Sequence, residues 1–379
     1  MTCAVILGTR PEITKLAPVL WALREQAIPH ALIHTGQHYS YEMDKVFFEA
    51  LELAPPAVNL AAGEAGASHG AQTGAILQGI EQAFFDLAVD KVIVHGDTNS
   101  TLAGALAGAK LNLPVGHVES GLRSYDRTMP EEVNRVVVDH VATHLWAPTA
   151  VAVENLAREG LRDGVRLTGN TIVDTVHGLR PRLAAASFVD RQGLTPGRFI
   201  YLTLHRQENT DQPERLGLIV AGLRETACET GLPLVFSMHY RTQERLARAG
   251  LTDELAAIPG LRLLHPPVGL LASLELQLHA ALVLTDSGGL QEEACILGTP
   301  CVTIRENTER PETLAIGSNV LAGYRPAGIL AAVRQQLGKP GDWPNPFGDG
   351  LAARRCLASL LELPGLDPGP LAGAGEGEL

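Results

Sequence analysis

Cys3-Ala4-Val5-Ile6-Leu7-Gly8-Thr9-Arg10-Pro11-Glu12-Ile13-Thr14-Lys15-Leu16-Ala17-Pro18-Val19-Leu20-Trp21-Ala22-Leu23 is the stretch whose reading decides the fold class. Its apolar run 3–7 has the length and composition of a strand buried on both faces. The run stops at Gly8. Ile13, Leu16, Ala17, Leu20 and Leu23 then recur at spacings of three and four, which lays one apolar stripe along a helix. A buried strand passing through a short turn into an amphipathic helix is the opening of a parallel βα unit.

The same pattern repeats outward from there. Strand-like runs at 31–35, 91–94, 114–118, 144–146 and 165–167 alternate with helical stretches. After a Gly/Pro/Arg-rich segment at 179–197, a second series follows at 199–204, 234–237, 261–264, 282–285, 301–304 and 319–321. Strands alternating with helices predict parallel sheets covered on both faces, so the chain reads as α/β with two Rossmann-like doubly wound domains facing a cleft. The expected boundaries are 1–175 for the first domain and 176–363 for the second, joined by a hinge near 170–185. The last helix, near 351–363, is placed with the second domain, with packing back on the first as the alternative. The tail 364–379 is Pro, Gly, Ala and Glu with almost nothing to bury and is expected to stay unfolded.

At 379 residues the chain is long enough for two cores, and a hydrophobic content of 45% supplies them. A formal net charge of −12 argues against nucleic acid or an anionic membrane as partner, because either requires a basic face. Five cysteines (Cys3, Cys228, Cys295, Cys301, Cys356) form no CxxC pair and leave one over, which fits neither a disulfide framework nor a zinc knuckle. No apolar run approaches the roughly 18 residues of a membrane helix. The first ten residues lack a basic n-region. The expected setting is cytoplasmic.

In open α/β sheets ligands bind beyond the carboxyl ends of the strands. Chemistry gathers at those ends here. After the first strand, Thr9 and Glu12 have the spacing of a capping box and Pro11 suits a first helical turn. Arg10 is not explained that way, since a cation is mildly unfavourable at a helix start; an anionic ligand would remove the misfit. His95-Gly96-Asp97-Thr98-Asn99-Ser100 follows the strand 91–94, with Thr98 or Ser100 as N-cap and Asp97 at the tip. Glu119 ends the apolar run before Ser120-Gly121-Leu122-Arg123. Met129-Pro130-Glu131-Glu132-Val133-Asn134-Arg135 opens the next helix, where glutamates also serve the helix dipole. Converging carboxylates raise one another's proton affinity, which suits general acid/base work. A divalent cation is the alternative, but no DxD or HxxE-type pair accompanies the acids, so no metal is expected.

In the second series, His205 and Arg206 end the strand 199–204 and lean toward an anion site. Thr285-Asp286-Ser287-Gly288-Gly289-Leu290-Gln291-Glu292-Glu293-Ala294 reads as strand, Ser-Gly-Gly turn and helix. Its glycines admit a phosphate to backbone N–H groups at the helix start, and Glu293, one turn in, suits ribose hydroxyls. With Arg305-Glu306-Asn307-Thr308-Glu309-Arg310 after the next strand, the pattern points to a nucleoside diphosphate.

Taken together, GTRPEITKLAP (8–18), HTGQHY (34–39), HGDTNSTLAG (95–104), HVESGLRS (117–124), MPEEVNR (129–135), LHRQEN (204–209), TDSGGLQEEA (285–294) and TERPET (308–313) resemble the non-hydrolysing UDP-N-acetylglucosamine 2-epimerases. The match runs in order from about residue 3 to 335. The resemblance implies a GT-B-like fold, a homodimer, no cofactor, and reversible conversion of UDP-GlcNAc to UDP-ManNAc for cell-surface polysaccharide. Carried over by position, the cleft residues are Arg10, Lys15, Asp97, Glu119, Glu131, Arg135, His205, Ser287, Gly288, Gly289, Glu293 and Arg310. The base-facing loop 266–273 lacks the aromatic frequent in the family, leaving backbone near Val268 to read uracil, and Ser273 where stacking would otherwise occur. Members regulated by a second UDP-GlcNAc carry a Met and a Gln near the segment 62–70, and neither stands there. Ser68-His69-Gly70-Ala71-Gln72-Thr73-Gly74 is similar to relatives that act on diacetamido sugars.

The C2 proton of a pyranose is not acidified by a carbonyl, so the expected route is elimination of UDP to 2-acetamidoglucal, then re-addition. Asp97, Glu119 and Glu131 would carry the proton traffic. His205 and Arg10 would stabilise the departing phosphate, Arg310 and residues 287–289 would hold the diphosphate, and Glu293 would take the ribose. The rivals are a diacetamido-sugar epimerase and a GT-B glycosyltransferase using a UDP-sugar donor.

Overall fold

The computed structural model describes residues 2–37, 41–63 and 67–371, without the side chains of 41–43 and 364. Residues 38–39 of the HTGQHY motif, 64–66 of the segment 62–70, and the tail from 372 lie outside the described residues.

The chain forms two compact units, residues 1–178 with 347–379, and residues 179–346. In the first, the strands are β1 (Thr2–Leu7), β2 (His30–His34), β3 (Val58–Asn59), β4 (Val89–His95), β5 (Val115–Val118), β6 (His144–Ala147) and β7 (Val165–Leu167). They pair all-parallel in the order β3-β2-β1-β4-β5-β6-β7. In the second unit, β8 (Ile200–Thr203), β9 (Leu234–Ser237), β10 (Arg262–Leu264), β11 (Leu282–Thr285), β12 (Cys301–Thr303) and β13 (Asn319–Leu321) pair parallel as β10-β9-β8-β11-β12-β13. Both are Rossmann orders, reversing beside the first strand of each set, and that reversal opens a crevice at the carboxyl ends.

Alternation along the strands explains why both sheet faces are covered. Ile200 and Leu202 enter one core with Leu234, Phe236 and Leu284. Tyr201, Val235 and Val283 point into another, with Leu276 and Ala294. In the first unit Ala4, Ile6, Ile33, Val92 and Val94 share a core with Ile76, Ile80 and Phe84 of the helix His69–Asp86. The strands read from sequence stand within a residue or two of these; β3, two residues long at a sheet edge, carried too little pattern to be read.

The expected hinge near 170–185 is a helix, Thr171–Ala184, and the division between the units falls inside it, after Gly178. The last helix, Ala352–Leu361, belongs with the first unit and packs on the helix Arg10–Glu25. Beyond it the chain still makes specific contacts. Pro364–Leu366 form a 3-10 turn, Asp367 pairs with Arg166, and the Gly369 carbonyl accepts from Arg355 Nε at 2.8 Å. The start of the tail expected to be unfolded is therefore tied down by polar contacts that its poverty in apolar residues did not suggest. All five cysteines are free thiols. Among the described residues no helix is long and apolar enough to cross a membrane.

Candidate active site

The ends of β1 and β4 are locked by one buried carboxylate. Glu12 accepts from the Gly8 N–H at 2.8 Å and from the hydroxyls of Thr9, Thr98 and Thr101 at 2.9, 2.6 and 3.0 Å. The expected capping box at Thr9 is replaced by this arrangement: Thr9 donates to Glu12 and caps nothing, because Glu12 is shared with the neighbouring turn. Thr98 is the N-cap of the helix Asn99–Lys110. Gly8 admits no side chain, since a Cβ would lie 1.9 Å from Thr35 Oγ1. Arg10 opens the helix with its Nε 3.1 Å from Asp44 Oδ1 and its guanidinium 5.1 Å from the centre of the Phe47 ring. Asp44 is fully buried. It supplies the negative partner that the sequence reading had left to a ligand.

Glu119 follows β5 with φ +70°, a left-handed conformation that a side chain other than glycine's adopts at a cost. Its carboxylate is buried between Lys15 Nζ, 2.7 Å from Oε1, and His95 Nε2, 2.8 Å from Oε2. The His95 contact is at ion-pair distance but lacks hydrogen-bond alignment, so neither ring nitrogen of this buried histidine makes a hydrogen bond among the described residues. Gly96, φ +73°, separates His95 from Asp97 and lies open toward Glu119 Oε2.

Asp97, a third exposed, pairs with Arg135 Nη2, and Asn134 Nδ2 donates to the Asp97 carbonyl at 2.9 Å. These contacts bind the β4 end to the helix Pro130–Val141. That helix begins with two glutamates of different standing. Glu132 is buried and accepts from Ser124 N–H, Ser124 Oγ and Tyr125 N–H, each at 2.9 Å, and from Arg135. Burial opposes its charge, but the Ser124 N–H and the Arg135 guanidinium hold its carboxyl below the usual range. It is a fixed anion that shapes the loop. Glu131, the residue singled out from sequence, is exposed in the same first turn, so it is the glutamate open to a ligand.

Sequence reasoning missed the support behind these acids. His117 on β5 bonds Asp139 Oδ1 through Nδ1 at 2.7 Å and the Gly96 carbonyl through Nε2 at 2.9 Å. Asp139 also takes the Gly121 N–H at 3.1 Å and Arg123 Nη1 at 2.8 Å. This buried network fixes the turns on either side of Glu119 and before Asp97. The polarity of His117 inside an apolar strand was its one visible signal.

In the second unit, Asp286 at the end of β11 is the centre. Fully buried, it accepts from the His205 and Arg206 N–H groups, the latter at 2.8 Å, from His205 Nδ1 at 2.8 Å and from Asn209 Nδ2 at 3.2 Å. Burial pushes its carboxyl up, but His205 and the backbone donors bring it below the ordinary value. His205 is thereby held by Nδ1, with Nε2 as the group left to present. Ser287 caps the helix Gly288–Leu297, accepting from Leu290 N–H at 3.5 Å. A Cβ on Gly288 would meet nothing nearer than Arg206 Nη2 at 3.7 Å, and one on Gly289 nothing nearer than Ser287 Oγ at 3.9 Å. Nothing among the described residues excludes side chains there; an open helix start of this kind suits a phosphate.

Arg310 pairs with buried Glu292, while Glu293 receives Gln277 Nε2 at 2.6 Å. Arg305, fully inside the turn, holds Glu208 and Glu309, each at 2.9 Å. The Val268 N–H is bonded to Ser237 Oγ at 3.2 Å, and Ser273 Oγ to the Tyr201 hydroxyl at 3.1 Å. The structure thus brings Lys15, Asp97, Glu119 and Arg135 into linked clusters at the carboxyl ends of the first sheet. His205, residues 287–289, Glu293 and Arg310 gather at those of the second. Among the described residues no group of three or more His, Cys, Asp or Glu is arranged to hold a metal ion.

Two Rossmann-order units, one with acids at its strand ends and one with an open Ser-Gly-Gly helix start, define an enzyme of the GT-B-like class. The profile described as UDP-N-acetylglucosamine 2-epimerase matches residues 22–361. A Methanocaldococcus jannaschii protein named UDP-N-acetylglucosamine 2-epimerase is 46% identical over 365 residues, covering 95% of this chain and 99% of the relative. The crystal structure of the M. jannaschii UDP-GlcNAc 2-epimerase in complex with UDP-GlcNAc and UDP superposes with a TM-score of 0.87 at 45% identity, over 96% of this chain and all of that one. A Pseudomonas aeruginosa UDP-2,3-diacetamido-2,3-dideoxy-D-glucuronate 2-epimerase is 39% identical, over 96% of this chain and all of the relative. The chain belongs to the UDP-N-acetylglucosamine 2-epimerase family.

Proposed function

We propose that the protein interconverts UDP-N-acetylglucosamine and UDP-N-acetylmannosamine. A base removes the C2 proton while the C1–O bond to UDP breaks and C1=C2 forms, giving 2-acetamidoglucal and UDP. UDP then adds back to C1 as a proton is delivered to the opposite face of C2. The carrying observation is Glu119: a strained, buried carboxylate clamped by Lys15 and His95, beside the glycine that precedes Asp97. Strain of this kind persists where surroundings over-determine it, as at sites that must hold a reactive group in one place. Glu119, Asp97 and exposed Glu131 carry the proton traffic. Arg10, His205, Arg310 and the N–H groups of 287–289 bind and stabilise the leaving diphosphate. Glu293 takes the ribose, and backbone near Val268 reads the base. The resemblance further implies a homodimer, which light scattering tests.

A second reading keeps the chemistry and changes the sugar. The diacetamido-sugar relative and the stretch Ser68-His69-Gly70-Ala71-Gln72-Thr73-Gly74 favour it. Incubation with UDP-GlcNAc in deuterated buffer separates the possibilities. A reversible epimerase returns C2-deuterated UDP-sugar in both configurations. Unlabelled UDP-GlcNAc with activity only on a diacetamido UDP-sugar selects the second reading. Transfer to an acceptor without C2 labelling would discard both.

A further inference from the structure

We propose that Tyr201, Ser273 and Gln277 form a hydroxyl–amide chain that sets the Glu293 carboxylate for ribose, making them positioning residues for nucleoside recognition. This rests on the reading above, that a UDP-sugar is the ligand. Gln277 Nε2 donates to Glu293 Oε2 at 2.6 Å and lies 3.4 Å from Ser273 Oγ, which bonds the Tyr201 hydroxyl at 3.1 Å. The chain continues the other way: Ser237, whose hydroxyl also meets the Tyr201 phenol, takes the Val268 N–H at 3.2 Å. One run of polar side chains therefore joins the loop assigned to the base with the acid assigned to the ribose.

Packing does not ask for these groups. Tyr201 lies mid-strand beside Val235 and Val283 and is 1% exposed, where phenylalanine would fill the same space. Gln277 is wholly buried, and its Oε1 makes no hydrogen bond among the described residues. Turning the amide over would set two acceptors 2.6 Å apart, so the nitrogen faces Glu293. A buried amide left half satisfied costs stability, and such a cost is kept where the bond it does make serves something beyond folding. Fixing one oxygen sets the carboxylate plane, and with it the direction from which ribose hydroxyls must donate.

Calorimetric titration of the full chain with UDP and with 2′,3′-dideoxy-UDP tests this. The wild type is expected to prefer UDP by at least ~10-fold, since a site built to bond hydroxyls rejects an analogue lacking them. Gln277→Met keeps length and loses the donor; it should weaken UDP ~10-fold and leave the dideoxy nucleotide within about twofold. Tyr201→Phe should act in the same direction by about threefold, and the double variant should fall short of the product of the two. If Gln277→Met does not fold, Tyr201→Phe alone carries the comparison. Equal weakening of both nucleotides, or no change in either, overturns the proposal while leaving the UDP-sugar reading intact. A wild type that binds no UDP overturns both.

Discussion

Glu119 holds a backbone conformation that costs a non-glycine residue about 1–2 kcal/mol, and it does so with a buried carboxylate touching a buried ammonium. Glu119→Gln leaves the shape and removes the charge. Lys15 then faces an amide, and losing one partner of a buried pair destabilises by ~3 kcal/mol. Removing a positioned acid/base lowers rate by 10² or more on the order of general acid–base effects, so C2 deuterium exchange should fall at least ~100-fold. UDP affinity should stay within about twofold. Exchange at the wild-type rate in that variant would take Glu119 out of the chemistry. The comparison with Asp286 is instructive at this scale. Its burial is matched by two backbone N–H groups, a histidine and an asparagine, so it is held ionised and aims His205, whereas Glu119 meets the ammonium of Lys15 and the ring of His95.

Among the elements, the last helix depends on one such acid. Asp174, on the helix Thr171–Ala184, accepts the N–H groups of Ala352 and Ala353 at 3.2 and 2.9 Å and so caps the helix Ala352–Leu361. Burial, with Asp349 adding to it, outweighs those donors and pushes the Asp174 carboxyl up to about 6. A folded-state value raised above the unfolded one means that the native protein binds the proton more tightly. Stability from this group is therefore present at low pH and declines as pH rises from about 4 through 6, by up to ~3 kcal/mol. In denaturant titrations at pH 4 to 7, Asp174→Asn should gain stability relative to wild type as pH rises. A difference independent of pH would show that Asp174 has no raised value. The capping role was invisible in the sequence because residues 174 and 352 are far apart in the chain. What was legible shares one property: it repeats or clusters locally. The buried strands, the helix at 10–25, Asp97 and the Ser-Gly-Gly turn all announce themselves within a few residues. Period and spacing do not tell which of two adjacent glutamates faces inward, so Glu131 and Glu132 were separable only by the partners folding brings, Ser124 and Arg135. His117, Asp139 and Arg123 escaped for the same reason: each is unremarkable until the other two meet it.

For the molecule as a whole, the question is how a chain of net charge −12 admits an anionic ligand. The cations assigned to the ligand each stand beside a carboxylate: Arg10 by Asp44, Lys15 by Glu119, Arg135 by Asp97 and Arg310 by Glu292. At a distance such pairs cancel, and beyond a Debye length of about 10 Å at 0.1 M salt little field remains to draw a UDP-sugar in. Close up they act differently, because buried pairs are screened little and hold donors in place before the ligand arrives. If these cations hold the ligand as proposed, attraction is short-ranged and directional, and salt should matter little. Between about 50 and about 500 mM NaCl, kcat/KM for UDP-GlcNAc is expected to change by less than ~3-fold, where an electrostatically steered encounter declines steeply over such a range. A tenfold fall would mean that an uncompensated basic field guides the substrate, and that these ion pairs do not cancel at a distance.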